Sequence, residues 1–300
     1  IQPVSRARGI VLTLSGDFNG AEAELQEILP EAPLPDLVYT HLYLAWIYKT
    51  AGKLGLAQES LRRGLEAAEK NLLAREVEEL AGDLIENDLA AGDIGGAEAM
   101  LSELSLWLQG QGQAPPDNIA WLAEKAAISL KKKEFEEAGR YAERYEAINK
   151  KGSNRRAERY PLRLKGVIEM EKGDFDAAIG LLLRAKSLLR SQNSLAAWKD
   201  DIKDWHAFFM EPLALAFFRS GDLKRARQEY EAVTRLTTGR LAYGDIFARS
   251  FYMLGQISER LGKKRQALAN YRKFLDLWKV ADPIFPEIED ARARLAKLEA

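Results

Sequence analysis

Apolar residues along the chain recur at three- and four-residue steps, the period of one buried helix face, and the runs are cut at near-regular intervals by a short polar turn. The clearest turn is Gly173-Asp174-Phe175-Asp176-Ala177-Ala178, with Leu182 and Ala185 behind it and Gly166 ahead of it. Near-copies are Gly16-Asp17-Phe18 with Ala21 and Leu25, Gly52-Lys53-Leu54 with Ala57 and Leu61, and Gly92-Asp93-Ile94 with Ala97 and Leu101. Two more are Gly221-Asp222-Leu223 with Ala226 and Tyr230, and Gly262-Lys263-Lys264 with Ala267 and Tyr271. A seventh, Lys133-Glu134-Phe135 with Ala138 and Ala142, lacks the glycine. Glycine after an apolar run takes the left-handed conformation that ends a helix, and an adjacent Asp caps the next one. Each copy therefore predicts a helix-turn-helix hairpin. A small residue seven places before the turn (Gly9, Ala45, Ala126, Gly166, Ala214, Gly255; Ile85 is the exception) predicts where the first helix packs closely on its mate.

The predicted hairpins span 4–33, 35–70, 74–108, 117–150, 155–190, 207–238 and 241–280, and a charged helix over 285–299 is expected to cap the exposed core of the last one. Turn positions 16, 52, 92, 133, 173, 221 and 262 are 36, 40, 41, 40, 48 and 41 residues apart. The long interval places extra chain around Ser191 to His206, a stretch with Trp198, Asp200, Asp201, Asp204 and Trp205, where a short extra helix and broken regularity are expected. Pro212 either starts the following helix late or kinks it. Gly110 to Pro116 reads as a flexible loop.

The recurring set of small residue, Gly-Asp turn, apolar residue, Ala and large apolar residue resembles the tetratricopeptide repeat family, and Pro33 stands where that family's pattern closes with proline. The resemblance covers essentially the whole chain. The family's unit is about 34 residues, so most of these hairpins have longer helices or loops, and the family's first-helix Trp is missing from its usual place. The chain also looks like the helical-repeat sensor domains of bacterial regulators. The resemblance implies an all-α, right-handed superhelical solenoid of about seven repeats that forms one domain and binds a peptide or helix of a partner protein in a concave groove. Offsets from the turns place Tyr39, Leu42, Tyr43 and Trp46 in that groove, then Glu79, Asp83 and Glu86. Tyr160, Arg163, Val167 and Met170 follow, then Phe208, Leu215 and Phe218, then Arg249, Tyr252 and Gln256. Aromatics and Arg dominate interface energies; the other reading of these residues is packing between adjacent helices. The lysines and asparagines of the family's carboxylate clamp are replaced by Arg6 and Ile10, then Leu42 and Trp46, which argues against recognition of chaperone tails.

Composition narrows the chemistry. Basic and acidic side chains number 44 and 45, a net charge of -1, so no global field for nucleic acid or membrane exists. There is no Cys, which excludes disulfides, thiol catalysis and thiolate metal sites. His41 and His206 are the only histidines and lie far apart in a one-dimensional array, and His206 beside Asp204 and Asp201 reads as an insertion loop more readily than a metal site. Gly92-Asp93-Ile94-Gly95-Gly96 lacks the Lys-Ser/Thr of a phosphate loop. No catalytic residue, cofactor or metal is expected. No apolar run reaches the roughly 18 residues of a membrane span, and Ile1 to Arg8 has no signal-peptide core, so the expectation is a cytoplasmic protein.

Two charged stretches carry alternatives. Glu79, Asp83 and Glu86 form one helical stripe that either receives a partner's Lys or Arg or is simply solvated. Lys150, Lys151, Arg155, Arg156, Arg159, Arg163 and Lys165, opposed by Glu158, either take phosphate or an acidic peptide or form a solvated loop and helix start. The function expected is a non-catalytic protein-interaction module. The rivals are a ligand-responsive sensor with an aromatic pocket near Trp198, Trp205, Phe208 and Phe218, and the solenoid part of an enzyme whose catalytic domain lies elsewhere, which a chain beginning at Ile1 accommodates. Self-association through the groove stays open in each case.

Overall fold

The computed structural model describes residues 2–34, 36–152, 154–189 and 205–300. It is an all-α array of antiparallel hairpins. The pairs are α1 (Gln2–Ser15) with α2 (Phe18–Ile28), α3 (Asp36–Thr50) with α4 (Leu54–Lys70), α5 (Ala74–Ala91) with α6 (Ile94–Gly110), and α7 (Ile119–Lys131) with α8 (Phe135–Lys151). Then come α9 (Arg159–Lys172) with α10 (Phe175–Ser187), α11 (His206–Arg219) with α12 (Leu223–Thr234), α13 (Gly244–Arg260) with α14 (Lys264–Leu277), and the terminal α15 (Pro286–Glu299). The extra chain, including Trp198, Asp200, Asp201 and Asp204, lies outside the described residues, and α11 runs through Pro212.

The turns have the chemistry the motif requires. Gly16, Gly52, Gly92, Gly173, Gly221 and Gly262 all have φ between 70 and 91°, and Lys133 adopts the same left-handed backbone at 63°. Asp17, Asp93, Asp174 and Asp222 cap the second helix of their hairpins by accepting from an amide three residues on, at 2.8 to 3.0 Å. The repeat alanines Ala21, Ala57, Ala97, Ala138, Ala178, Ala226 and Ala267 are each 0% exposed. A Cβ on Gly166 would stand 2.7 Å from Leu182, and one on Gly255 2.4 Å from Tyr271. The small residue is thus the floor on which the mate helix rests.

The chain divides into two compact units, one comprising Ile1–Pro33, Tyr43–Ala57 and Arg190–Ala300, the other Leu34–Leu42 and Gln58–Leu189. The second unit stacks α5 to α10, with Ala126, Ala138, Ala142, Leu164 and Ile168 among its core. In the first unit, residues from both ends of the chain meet. Carbonyls left open at the C-terminal ends of α1 and α3 find donors from late in the chain. Arg240 Nη2 donates to the Leu14 carbonyl at 3.0 Å, and Trp278 Nε1 to that of Thr50 at 3.1 Å. The Asp282 amide donates to Gly52 at 2.9 Å. Gly244 lies so close to Thr50 that a Cβ would sit 1.7 Å from its hydroxyl oxygen. A strictly one-dimensional array does not describe this unit: α15 covers α14 through Phe285, whose ring centroid lies 4.4 Å from that of Trp278, while the turn after α3 covers the same indole from elsewhere.

Candidate functional site

In the second unit the first helices α5, α7 and α9 lie side by side. On α5, Glu79, Asp83 and Glu86 are half-buried along one stripe with Gly82 among them, and a Cβ on Gly82 would lie 3.2 Å from Glu124 Oε1 of α7. Glu124 therefore extends the acidic stripe. It stands nine residues before its turn, the offset of Asp83 in the preceding repeat, so the repeat register was the signal that could have found it. The other α7 positions at the same offsets include Ala120, Ala123 and Ala127, all half-exposed and small, which leaves little side chain beside the acids.

The far wall belongs to α9. Tyr160 is half-buried and stacks on Tyr145 with centroids 6.4 Å apart, and the Arg159 guanidinium lies 4.7 Å from its ring centre. Arg163 and Val167 follow one and two turns on and are half-buried, whereas Met170 is only 4% exposed and belongs to the core. Burial first, then the neighbouring Tyr160, pushes the Tyr145 hydroxyl well above its ordinary value, so this wall carries a neutral phenol beneath a cation. At the other end of the unit, Tyr39 donates to Glu76 Oε1 at 2.9 Å, and burial together with that carboxylate raises its pKa to about 12.

The remaining groove positions are used inside the protein. Leu42 and Trp46 are 1% and 3% exposed, buried by packing around α3; Tyr43 is half-buried and meets Trp46 edge-on at 5.0 Å. Phe208 is half-buried in an aromatic group, 6.0 Å from Trp205, 5.3 Å from Phe209 and 5.0 Å from Tyr243. Phe218 lies under the guanidinium of Arg260 at 4.9 Å, and Leu215 is half-buried. Arg249 pairs with Asp245 and Glu287, Tyr252 donates to Asp290 Oδ2 at 2.7 Å, and Gln256 donates to the Tyr252 hydroxyl at 2.6 Å. The seventh repeat thus spends the Arg and Tyr expected to face a groove on the terminal helix. Tyr39 to Glu76 and Tyr252 to Asp290 are similar links, each from a first-helix tyrosine to the helix that follows its hairpin.

Among the described residues no group of three His, Cys, Asp or Glu side chains is arranged to hold a metal ion, and no helix is long and apolar enough to cross a membrane.

A tetratricopeptide repeat model matches residues 248–277, within α13 and α14. No curated protein matches the chain. Among solved structures, a tetratricopeptide repeat protein from Parabacteroides merdae is similar over 100% of this chain and 99% of its own, with 15% identity and a TM-score of 0.51. The anaphase-promoting complex tetramer Cut9-Hcn1 is similar over 96% of this chain, which spans 48% of the matched one, with 13% identity and a TM-score of 0.51. The apo form of the quorum sensor NprR from B. thuringiensis is similar over 86% of this chain and 69% of its own, with 14% identity and a TM-score of 0.51. These likenesses show the fold, and the matched model identifies one tetratricopeptide repeat, residues 248–277, in the seventh hairpin of the array.

Proposed function

We propose that the chain is a non-catalytic protein-interaction module, and that an extended peptide or helix of the partner lies across α5, α7 and α9 of the second unit. One observation carries this reading. Two small half-exposed side chains, Ala123 and Ala127, are flanked by half-buried acids on one side and by Tyr160 and Arg163 on the other. Small residues give a partner's backbone room to approach, and walls of opposite charge orient it. Glu79, Asp83, Glu86 and Glu124 favour Lys or Arg in the partner, and Arg163 a carboxylate further along. Selection from a random peptide display library tests this. Enriched peptides should carry basic residues, and their binding should fall at least tenfold in an Asp83→Lys, Arg163→Glu variant that retains its helical circular dichroism. Enrichment that ignores both substitutions, or none at all, would sink the proposal.

A second reading, a ligand-responsive sensor, takes its support from the aromatic group of Trp205, Phe208, Phe209 and Tyr243 in the first unit. A thermal-shift screen of small aromatic compounds on wild type and Phe208→Ala checks it. A shift that the variant abolishes would favour the sensor over the peptide binder.

A further inference from the structure

Away from the α5–α7–α9 face, α8 and the turn that follows it present cations that pair with no acidic side chain among the described residues. Lys151, Arg155 and Arg156 are exposed and, with exposed Arg140 on α8, make no ion pair among the described residues. Other cations of the same unit pair across or along its helices: Arg62 with Glu103, Lys132 with Glu98, Arg144 with Asp117, Lys165 with Glu146. Lys150 and Lys151 sit in the last turn of α8, where they complement its carbonyl end. Arg155 and Arg156 lie beyond the helix and have no such use.

The stretch from Asn154 to Glu158 is held in shape. Asn149 Nδ2 donates to the Ala157 carbonyl at 3.0 Å, the Arg156 amide donates to Asn154 Oδ1 at 3.1 Å, and Arg159 Nη1 donates to the Arg156 carbonyl at 3.2 Å. The charges are therefore displayed on an ordered turn, which lowers the entropic cost of engaging them. They continue a stripe on α8, since Arg140, Arg144, Ala147 and Lys151 follow steps of four, three and four, and all but Lys151 line an open trough with Tyr141, Glu137 and Glu143. From Arg140 to Lys151 the stripe runs about 16 Å at 1.5 Å per residue, the reach of about five residues of extended chain.

We propose that this stripe and loop dock an acidic segment of a partner protein, at a surface separate from the peptide face above. Charge complementarity names the occupant, and Glu137 and Glu143 within the trough disfavour a uniform track of phosphates while leaving an acidic polypeptide free to place an apolar residue beside them. The test is fluorescence anisotropy with a fluorescein-labelled decaglutamate peptide and a labelled ten-nucleotide thymidine strand at low salt. The peptide should bind wild type, and the triple variant Lys151→Glu, Arg155→Glu, Arg156→Glu should weaken it at least tenfold. The equally exposed triad of the seventh repeat serves as control, and Lys263→Glu, Lys264→Glu, Arg265→Glu should change binding less than twofold. Circular dichroism verifies folding, and Arg155→Gln with Arg156→Gln replaces the reversal if that variant misfolds. Equal loss in both triads, no loss in the first, absence of peptide binding, or tighter binding of the thymidine strand than of the peptide would each overturn the proposal.

Discussion

Asp282 caps a helix that begins 228 residues before it: its carboxylate accepts from the Gly55 amide at 2.9 Å, while its own amide donates to the Gly52 carbonyl at 2.9 Å. The motif explains why the cap comes from afar. In four repeats an Asp follows the turn glycine and caps its own helix, but in the second repeat that place is Lys53, which cannot accept. Asp282→Ala should therefore cost about 1 kcal/mol, the usual worth of a side-chain cap, and Asp282→Asn much less. Urea unfolding of the three proteins checks the order. If alanine and asparagine cost the same, the carboxylate is not acting as a cap.

Local features of the fold were legible because they repeat. The turn glycines, the capping aspartates and the fully buried alanines each follow from a motif seen several times over. Features without internal copies were not. Nothing in the sequence pairs Asp282 with Gly55, or Trp278 with Thr50, since such partners are chosen by how distant repeats meet. Burial at the positions expected to line a groove was readable only in part for a related reason. The offset that leaves Val167 and Gln256 half-exposed buries Trp46 to 3%, because neighbouring helices differ from repeat to repeat. Glu124 went unread because its repeat, with alanines at the other offsets, offers little to notice.

The fourth turn supplies a test of backbone strain. Lys133 holds φ 63° where the other turns have glycine, and a left-handed L-residue costs roughly 1–2 kcal/mol. Lys133→Gly removes that strain but gives the unfolded chain more freedom, so a net gain of about 0.5–1 kcal/mol is expected. The mirror substitution, Gly92→Ala at φ 82°, should destabilise by about 1 kcal/mol although nothing lies within 4 Å of its Cβ position. Thermal or urea unfolding of both variants measures this, and the same sign for both would contradict the strain argument.

Close packing within hairpins sets a ranking. On Gly255 a Cβ would stand 2.4 Å from the ring of Tyr271, which is 0% exposed and donates its hydroxyl to Glu259 at 2.8 Å. On Gly9 the nearest atoms are 3.2 Å away and belong to the flexible end of Leu25. Gly255→Ala should cost about 1–3 kcal/mol by overpacking, and Gly9→Ala less. The difference in unfolding free energy between the two decides it, and a larger loss at Gly9 would refute the packing account.

His41 ties stability to pH. It is 8% exposed, Ser60 donates to its carbonyl at 3.2 Å, and its ring Nδ1 has no hydrogen-bond partner. Burial first, and the nearby Arg63 second, hold its pKa below the ordinary 6.5. The unfolded chain thus binds a proton near pH 6.5 that the native protein refuses, and stability is lost as pH falls from above that value toward the lower native pKa. Asp88 works in the opposite sense. Burial and then Asp93 raise its pKa, so it adds stability as acid protonates it. Unfolding free energies at pH 7.5 and 5.5 should therefore differ more in wild type than in His41→Gln, whatever the variant's absolute stability. Parallel pH dependence in the two proteins would place the effect on other groups.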